Sequence, residues 1–187
     1  LPESPQALGL QLDRGDEASG ALHLRLYRRG EPIAMSDLLP LLENFDLRIL
    51  NERPYRIATA EGVTYWIQDL EVAHAGGRQL DPKQAGPRFE AAFFAVWHGQ
   101  AESDGFNRLV IGAGLEWRDV VILRLVAKFL RQAAFSFSQD YMEQALSRNP
   151  EIALLLTELF HARLDPKDRS DAEAARITAA IEAKLAD

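Results

Sequence analysis

The sequence predicts an α+β fold: a small antiparallel sheet with helices on one face, followed by an all-α segment. Three observations predict it. Leucines alternate with polar or small residues along the first part of the chain, the period-two signature of half-buried strands. From residue 87 onward apolar residues recur at helical spacing. Between the two regimes, Gly76-Gly77 and Asp81-Pro82 mark a loop. These shifts place a sheet module at residues 1–80, with its second helix at 87–98, and a helical bundle segment at 100–187.

Leu8, Leu10 and Leu12 predict the first strand, and Leu22, Leu24 and Leu26 the second. The polar, glycine-bounded residues 14–20 suit a hairpin loop between them. A short helix follows, with Ser36 as N-cap, Asp37 at the positive end of the dipole, and Leu38, Leu41, Leu42 and Phe45 as its apolar stripe. Pro40 requires a place in its first turn. Two more strands are expected at residues 47–59 and 64–72, turned by Glu61-Gly62, and Pro54 puts the first of them at a sheet edge or a bulge.

Phe89, Phe93, Val96 and Trp97 then recur at helical spacing, and Gly99 stops that helix. A second helix begins near Asp104. A third runs over residues 117–131, with Val120, Val121, Val126, Phe129 and Leu130 expected inward. A fourth, over 139–148, is capped by Ser138. Asn149-Pro150 reads as N-cap plus proline at N1 for a fifth, which Asp165-Pro166 ends. Ser170-Asp-Ala-Glu173 is a capping box for a last helix carrying Ile177, Ile181 and Leu185.

The 187 residues are 47% hydrophobic and 26% charged, which excludes wholesale disorder. Without cysteine there is no disulfide, thiolate metal site or cysteine nucleophile. The net charge of −7 argues against nucleic-acid binding, and no apolar run is long enough to span a bilayer, so neither nucleic acid nor membrane is an expected partner. Leu1 in place of Met, and a helical pattern still running at Asp187, lead us to expect a piece of a longer polypeptide.

The search for chemistry returns little. Gly112-Ala-Gly114 imitates a dinucleotide-binding turn, but Trp117 stands where a small residue must let helix and strand approach, so two glycines at a helix–helix joint are the simpler reading. His23, His74, His98 and His161 are scattered, and their i,i+4 carboxylates lack the second histidine of a metal-ligand pattern. Asp69 and Glu71 share a strand face, which a solvated surface explains. Arg124, Lys128 and Arg131 form one helix stripe, read either as an anion site or as a solvated face. Residues 104–108 pack Asp104, Asn107 and Arg108 around an aromatic, a composition found at domain interfaces. We therefore expect no catalytic, cofactor or metal residue, and take Asp104, Asn107, Arg108, Arg124, Lys128 and Arg131 as candidate interdomain contacts.

Several blocks stand out in order: Leu26-Tyr-Arg-Arg-Gly-Glu-Pro-Ile33, Leu38-Leu-Pro-Leu-Leu-Glu-Asn44, Leu47-Arg-Ile-Leu-Asn-Glu-Arg-Pro-Tyr55, Asp104-Gly-Phe-Asn-Arg-Leu109 and Phe137-Ser-Gln-Asp-Tyr141. Together they resemble the large bacterial NAD-specific glutamate dehydrogenases. Asn149-Pro150 and Leu159-Phe-His-Ala-Arg163 extend the likeness, which covers about residues 20–166. Glu116 departs from it, since Ser or Thr is expected as the cap there. The resemblance implies an ACT-like, ferredoxin-like module and part of a helical segment, both upstream of a dehydrogenase core. It implies a cytoplasmic, oligomeric parent that deaminates L-glutamate with NAD. The family's substrate lysines and nucleotide-binding glycines have no counterparts here, so NAD belongs to the parent and no cofactor to this segment. A regulatory or assembly role follows, with the catalytic domain of the same chain and further copies as partners. The alternative is an amino-acid-sensing module, with contacts around the loops after Tyr27 and after Val72.

Overall fold

The computed structural model describes residues 8–15 and 20–186. Four strands, β1 (Leu8–Arg14), β2 (Leu22–Arg29), β3 (Leu47–Ala58) and β4 (Thr64–His74), form one antiparallel sheet in the order β1-β2-β4-β3. The helices are α1 (Met35–Asn44), α2 (Pro82–Trp97), α3 (Arg108–Gly112), α4 (Trp117–Gln132), α5 (Gln139–Arg148), α6 (Pro150–Leu164) and α7 (Asp171–Ala186). A 3-10 turn, Gly105–Asn107, leads into α3. The expected α+β sheet followed by helices is what the chain forms. The middle of the first hairpin loop, residues 16–19, lies outside the described residues.

The alternating leucines do what their period requires. Leu10 pairs with Leu26, Leu24 with Leu70 and Leu22 with Val72, and all of them point to the helix layer. On β3 the inward set is Leu47 and Ile49, then a bulge at Leu50 shifts the register and Glu52 takes the inward position. Pro54 sits on an edge strand, as its missing N–H demands. The inner face also holds Gln68, buried in mid-sheet. Its side chain accepts from Ile33 N (2.7 Å) and donates to Ile33 O (3.0 Å), pinning the β2–α1 loop to the sheet.

Several boundaries differ from expectation. Helix α1 is capped at Ala34 without a side-chain bond, so Ser36 lies inside it and Pro40 falls in its second turn. Helix α2 begins at Pro82, not at 87. Asp81 caps it by accepting from Lys83 N (3.1 Å), and Pro82 at N1 repeats the arrangement of Asn149-Pro150 at the start of α6. Pro40 and Pro87 are tolerated because both lie exposed, where water can reach the carbonyls they leave unbonded. Asn149 holds the N-cap position of α6, but its side chain donates instead to Ala145 O of α5. Ser138 and Ser170 cap α5 and α7 as expected, whereas Glu173 turns to Arg176 and leaves the capping box half-formed.

The largest correction concerns α4. Val120 is buried, but Val121, Val126 and Phe129 face solvent and Leu130 is half-buried. The inward positions are Val120, Leu123, Arg124 and Ala127. A guanidinium occupies the core side because a carboxylate waits there.

One hydrophobic cluster joins sheet and helices. It runs from Leu10 and Leu24 through Phe45, Phe89 and Phe93 to Phe106, Leu109, Val120 and Ala153. Phe45 meets Phe89 edge-on at 5.2 Å, and Phe93 stacks on Trp97 at 6.1 Å. Polar links reinforce the join: Asn44 Nδ2 donates to Ser103 Oγ (3.0 Å), and Arg78 Nη1 to Gly112 O (3.0 Å). Glu116, the departure from the expected cap, makes no cap bond and instead accepts from Arg88 Nε of α2 (3.1 Å). Helix α7 belongs to a smaller cluster with α6, built on Ala162, Ala174 and Ile177, while Leu185 is exposed.

Candidate interdomain site

Five of the six candidate contact residues, all but Arg108, are linked by hydrogen bonds at the junction of the 3-10 turn, α4 and α5. Asp104 begins the arrangement by capping the turn, its Oδ1 accepting from Phe106 N (3.1 Å). Arg124 then reaches in from α4, donating Nε to Asp104 Oδ2 (2.7 Å) and Nη2 to Asp104 Oδ1 (2.8 Å), a bidentate pair. The same Nη2 donates to Asn107 Oδ1 (2.7 Å), and Asn107 Nδ2 donates to Glu102 O (3.0 Å). Arg124 and Asn107 are each 4% exposed, so the charge is desolvated and its pairing is obligatory.

Lys128 stands at the rim and pairs with Glu102. Its hydrogen bond holds the Glu102 carboxyl below the usual carboxylate range. Arg131 contacts Gln139, which donates to Asp104 Oδ2 (3.3 Å) and to Glu143 Oε1 (2.8 Å). Arg108 is half-buried, and its Nε is a buried atom with no partner in the structure. The buried Glu143, which Gln139 bridges to Asp104, carries no sequence signal, because their meeting depends on how α5 crosses the turn.

Each residue of the turn has a steric reason. A Cβ at Gly105 would meet the Glu143 carboxylate, so a larger residue there would push that side chain aside. Phe106 is fully buried, and the turn that carries it touches α1 of the sheet layer as well as α3, α4 and α5. Its ring lies 5.9 Å from the Arg124 guanidinium carbon. Chemically this is a clamp: Arg124 donates to both Asp104 carboxylate oxygens, to Asn107 Oδ1 and to Glu102 O.

The remaining candidates are dispersed. Residues 109–111, which a dinucleotide-binding turn would need as a strand, are helical, and Gly112-Ala-Gly114 is the joint between α3 and α4. Asp69, on the outer sheet face, lies 2.8 Å from His23 Nδ1 and 3.6 Å from Arg25 Nε. His74 pairs with Asp46 at 3.3 Å. Among the described residues no group of three or more His, Cys, Asp or Glu side chains could hold a metal ion, and no helix is long and apolar enough to cross a membrane.

His161 ties α6 to α4, its Nε2 2.8 Å from Asp119 Oδ1 and its Nδ1 3.6 Å from Asp165 Oδ2. The hydrogen bond to Asp119 raises its pKa above the ordinary histidine value. A raised folded-state pKa gives stabilisation that is complete below the unfolded value near 6.5 and is lost as pH rises through the folded one. The Tm advantage of the native chain over His161→Asn is therefore expected to shrink as pH rises above the unfolded value near 6.5. An advantage that stays constant or grows over that rise contradicts the pairing.

Comparison with known proteins agrees with this layout. Residues 7–85 match the family described as "Glutamate dehydrogenase, ACT3 domain", and residues 101–166 match "Glutamate dehydrogenase, helical motif 3". The NAD-specific glutamate dehydrogenase of Halomonas elongata is 42% identical over 166 residues, 89% of this chain and 10% of that protein. That of Pseudomonas aeruginosa is 43% identical over 142 residues, 76% of this chain and 9% of its own length. That of Mycobacterium tuberculosis is 36% identical over 176 residues, 91% of this chain and 11% of its own length. The chain thus spans about a tenth of the length of the curated relatives it matches. With two modules of one enzyme matched in order across sheet and helices, the chain belongs to the family of large NAD-specific glutamate dehydrogenases.

Proposed function

We propose that this chain is a non-catalytic regulatory and assembly region of an NAD-dependent glutamate dehydrogenase. The longer enzyme oxidatively deaminates L-glutamate to 2-oxoglutarate and ammonia while reducing NAD. Its catalytic domain is the partner this region positions, within a cytoplasmic homo-oligomer. The observation that carries the reading is the single core running from the sheet into the helices, clamped by Arg124 and Asp104. Such a body transmits a displacement of its sheet to its helices as a unit. Glutamate-dependent NAD reduction, measured on this chain and on the long enzyme, tests the first half: turnover is expected only from the long enzyme, and turnover by the chain alone overturns it. Removing residues 1–187 from the long enzyme tests the second half. A changed oligomeric mass or altered kinetic cooperativity is expected, and an unchanged enzyme defeats it.

The second reading, amino-acid sensing, is favoured by one feature. The loop after β4 lines a cleft of about 310 Å³ between α2 and the α3–α4 joint. Arg78 and Arg88 offer donors for a carboxylate there, and Asp81 an acceptor for an ammonium group. A free amino acid at millimolar concentration then raises Tm by mass action, and a flat screen of all twenty excludes this cleft as the sensor.

A further inference from the structure

The outward stripe of α4 is apolar where a solvated helix would be polar. Val121, Leu125 and Phe129, at i, i+4 and i+8, are 36%, 61% and 64% exposed. Beside the stripe, a groove of about 350 Å³ runs between α4 and α6, lined by Ile122, Val126, Leu156, Phe160 and Leu164. Helix α6 is apolar on nearly every side, the composition of a helix enclosed by others. Helix α7 covers Leu155, Leu159 and Ala162, but Leu154 and Leu164 remain 39% and 64% exposed. Three walls of a bundle are in place and the fourth is missing.

Charge narrows what the fourth wall is. Arg118, in line with the stripe, lies over the Trp117 ring at 4.3 Å, and Arg163, on the groove, donates only to Thr178 Oγ1 (3.3 Å). Neither meets a carboxylate among the described residues. The stripe and the groove lining carry no acidic side chain. Two copies set face to face would therefore bring guanidinium groups together with nothing from this face to neutralise them. The curated relatives, by contrast, carry about nine-tenths of their length outside the matched region, and a tethered segment binds at high effective concentration.

We propose that the α4–α6 face seats an amphipathic α-helix from the remainder of the same long polypeptide. That helix carries apolar residues at i, i+3 or i+4, and i+7, with acidic side chains that meet Arg118 and Arg163. The proposal rests on the reading that the chain is one region of a longer dehydrogenase.

The sequence has no cysteine, so Leu125→Cys places the one thiol of this region on the stripe. Its maleimide-labelling rate, located by peptide mass, is compared in the chain alone and in the long enzyme. Rapid labelling of the chain alone and protection of about tenfold or more in the long enzyme are expected. Equal rates overturn the proposal. Protection in the chain alone, with a light-scattering mass of twice 20.9 kDa, makes the occupant a second copy and also overturns it. Val121→Cys repeats the readout if Leu125→Cys fails to fold. Labelling does not depend on turnover, so catalysis by the isolated chain would refute the functional reading while leaving this result to stand separately.

Discussion

Arg124→Met is expected to lower the unfolding free energy by about 3–5 kcal/mol, or roughly 6–20 °C in Tm, because it takes the guanidinium away from a largely enclosed carboxylate. Asp104 loses both arms of its bidentate partner, and Asn107 Oδ1 loses its donor, at a site where Arg124 is only 4% exposed. Arg124→Lys keeps the charge but not the fork, so it should fall between the two. The double variant Asp104→Asn/Arg124→Met removes the orphaned charge and should recover part of the loss. Urea titrations of the native chain, Arg124→Met, Asp104→Asn and the double variant close the cycle, and a coupling energy near zero would mean the clamp contributes nothing.

Phe106→Ala should cost about 3–5 kcal/mol, the usual range for a fully buried aromatic that leaves a cavity. The ring sits in a three-residue turn, yet its loss should be felt on both sides, since that turn touches α1 beneath the sheet and α3, α4 and α5 beyond it. Phe106→Leu fills most of the space and should be clearly milder. Chemical denaturation measures both, and an alanine variant within 1 kcal/mol of the native chain, as an order-of-magnitude bound, would show that the turn is peripheral.

The parts of the fold that were legible in sequence are those set by local periodicity. The leucine alternation of β1 and β2, the edge position implied by Pro54, and the helical spacing of Phe89 and Phe93 depend on neighbours a few residues away. The start of α2 was equally legible, but Asp81-Pro82 reads as a loop unless it is recognised as the same cap-and-proline pair as Asn149-Pro150. What periodicity hid was long-range. Arg124 looks like one more surface cation until Asp104, twenty residues earlier, is found beneath it. Its burial sets α4 so that Val121, Val126 and Phe129, which the hydrophobic pattern sends inward, face outward. Gln68 is a polar residue in a strand whose buried role depends on the β2–α1 loop, and Glu143 explains Gly105 only once α5 is in place. Asp104, Asn107 and Arg108 are legible as a polar cluster beside an aromatic, and Arg124, Lys128 and Arg131 as a stripe on one helix, both of them local patterns. That three of them bond one another inside the chain is a property of the tertiary fold.

The central claim is that the sheet and helices α2–α6 form one cooperative body with a shared core. Scanning calorimetry of the chain and of Phe106→Ala tests it most directly. The account predicts a single transition, with equal calorimetric and van't Hoff enthalpies, that moves as a whole in the variant. Two resolved transitions, with the variant lowering only the helical one, would contradict it.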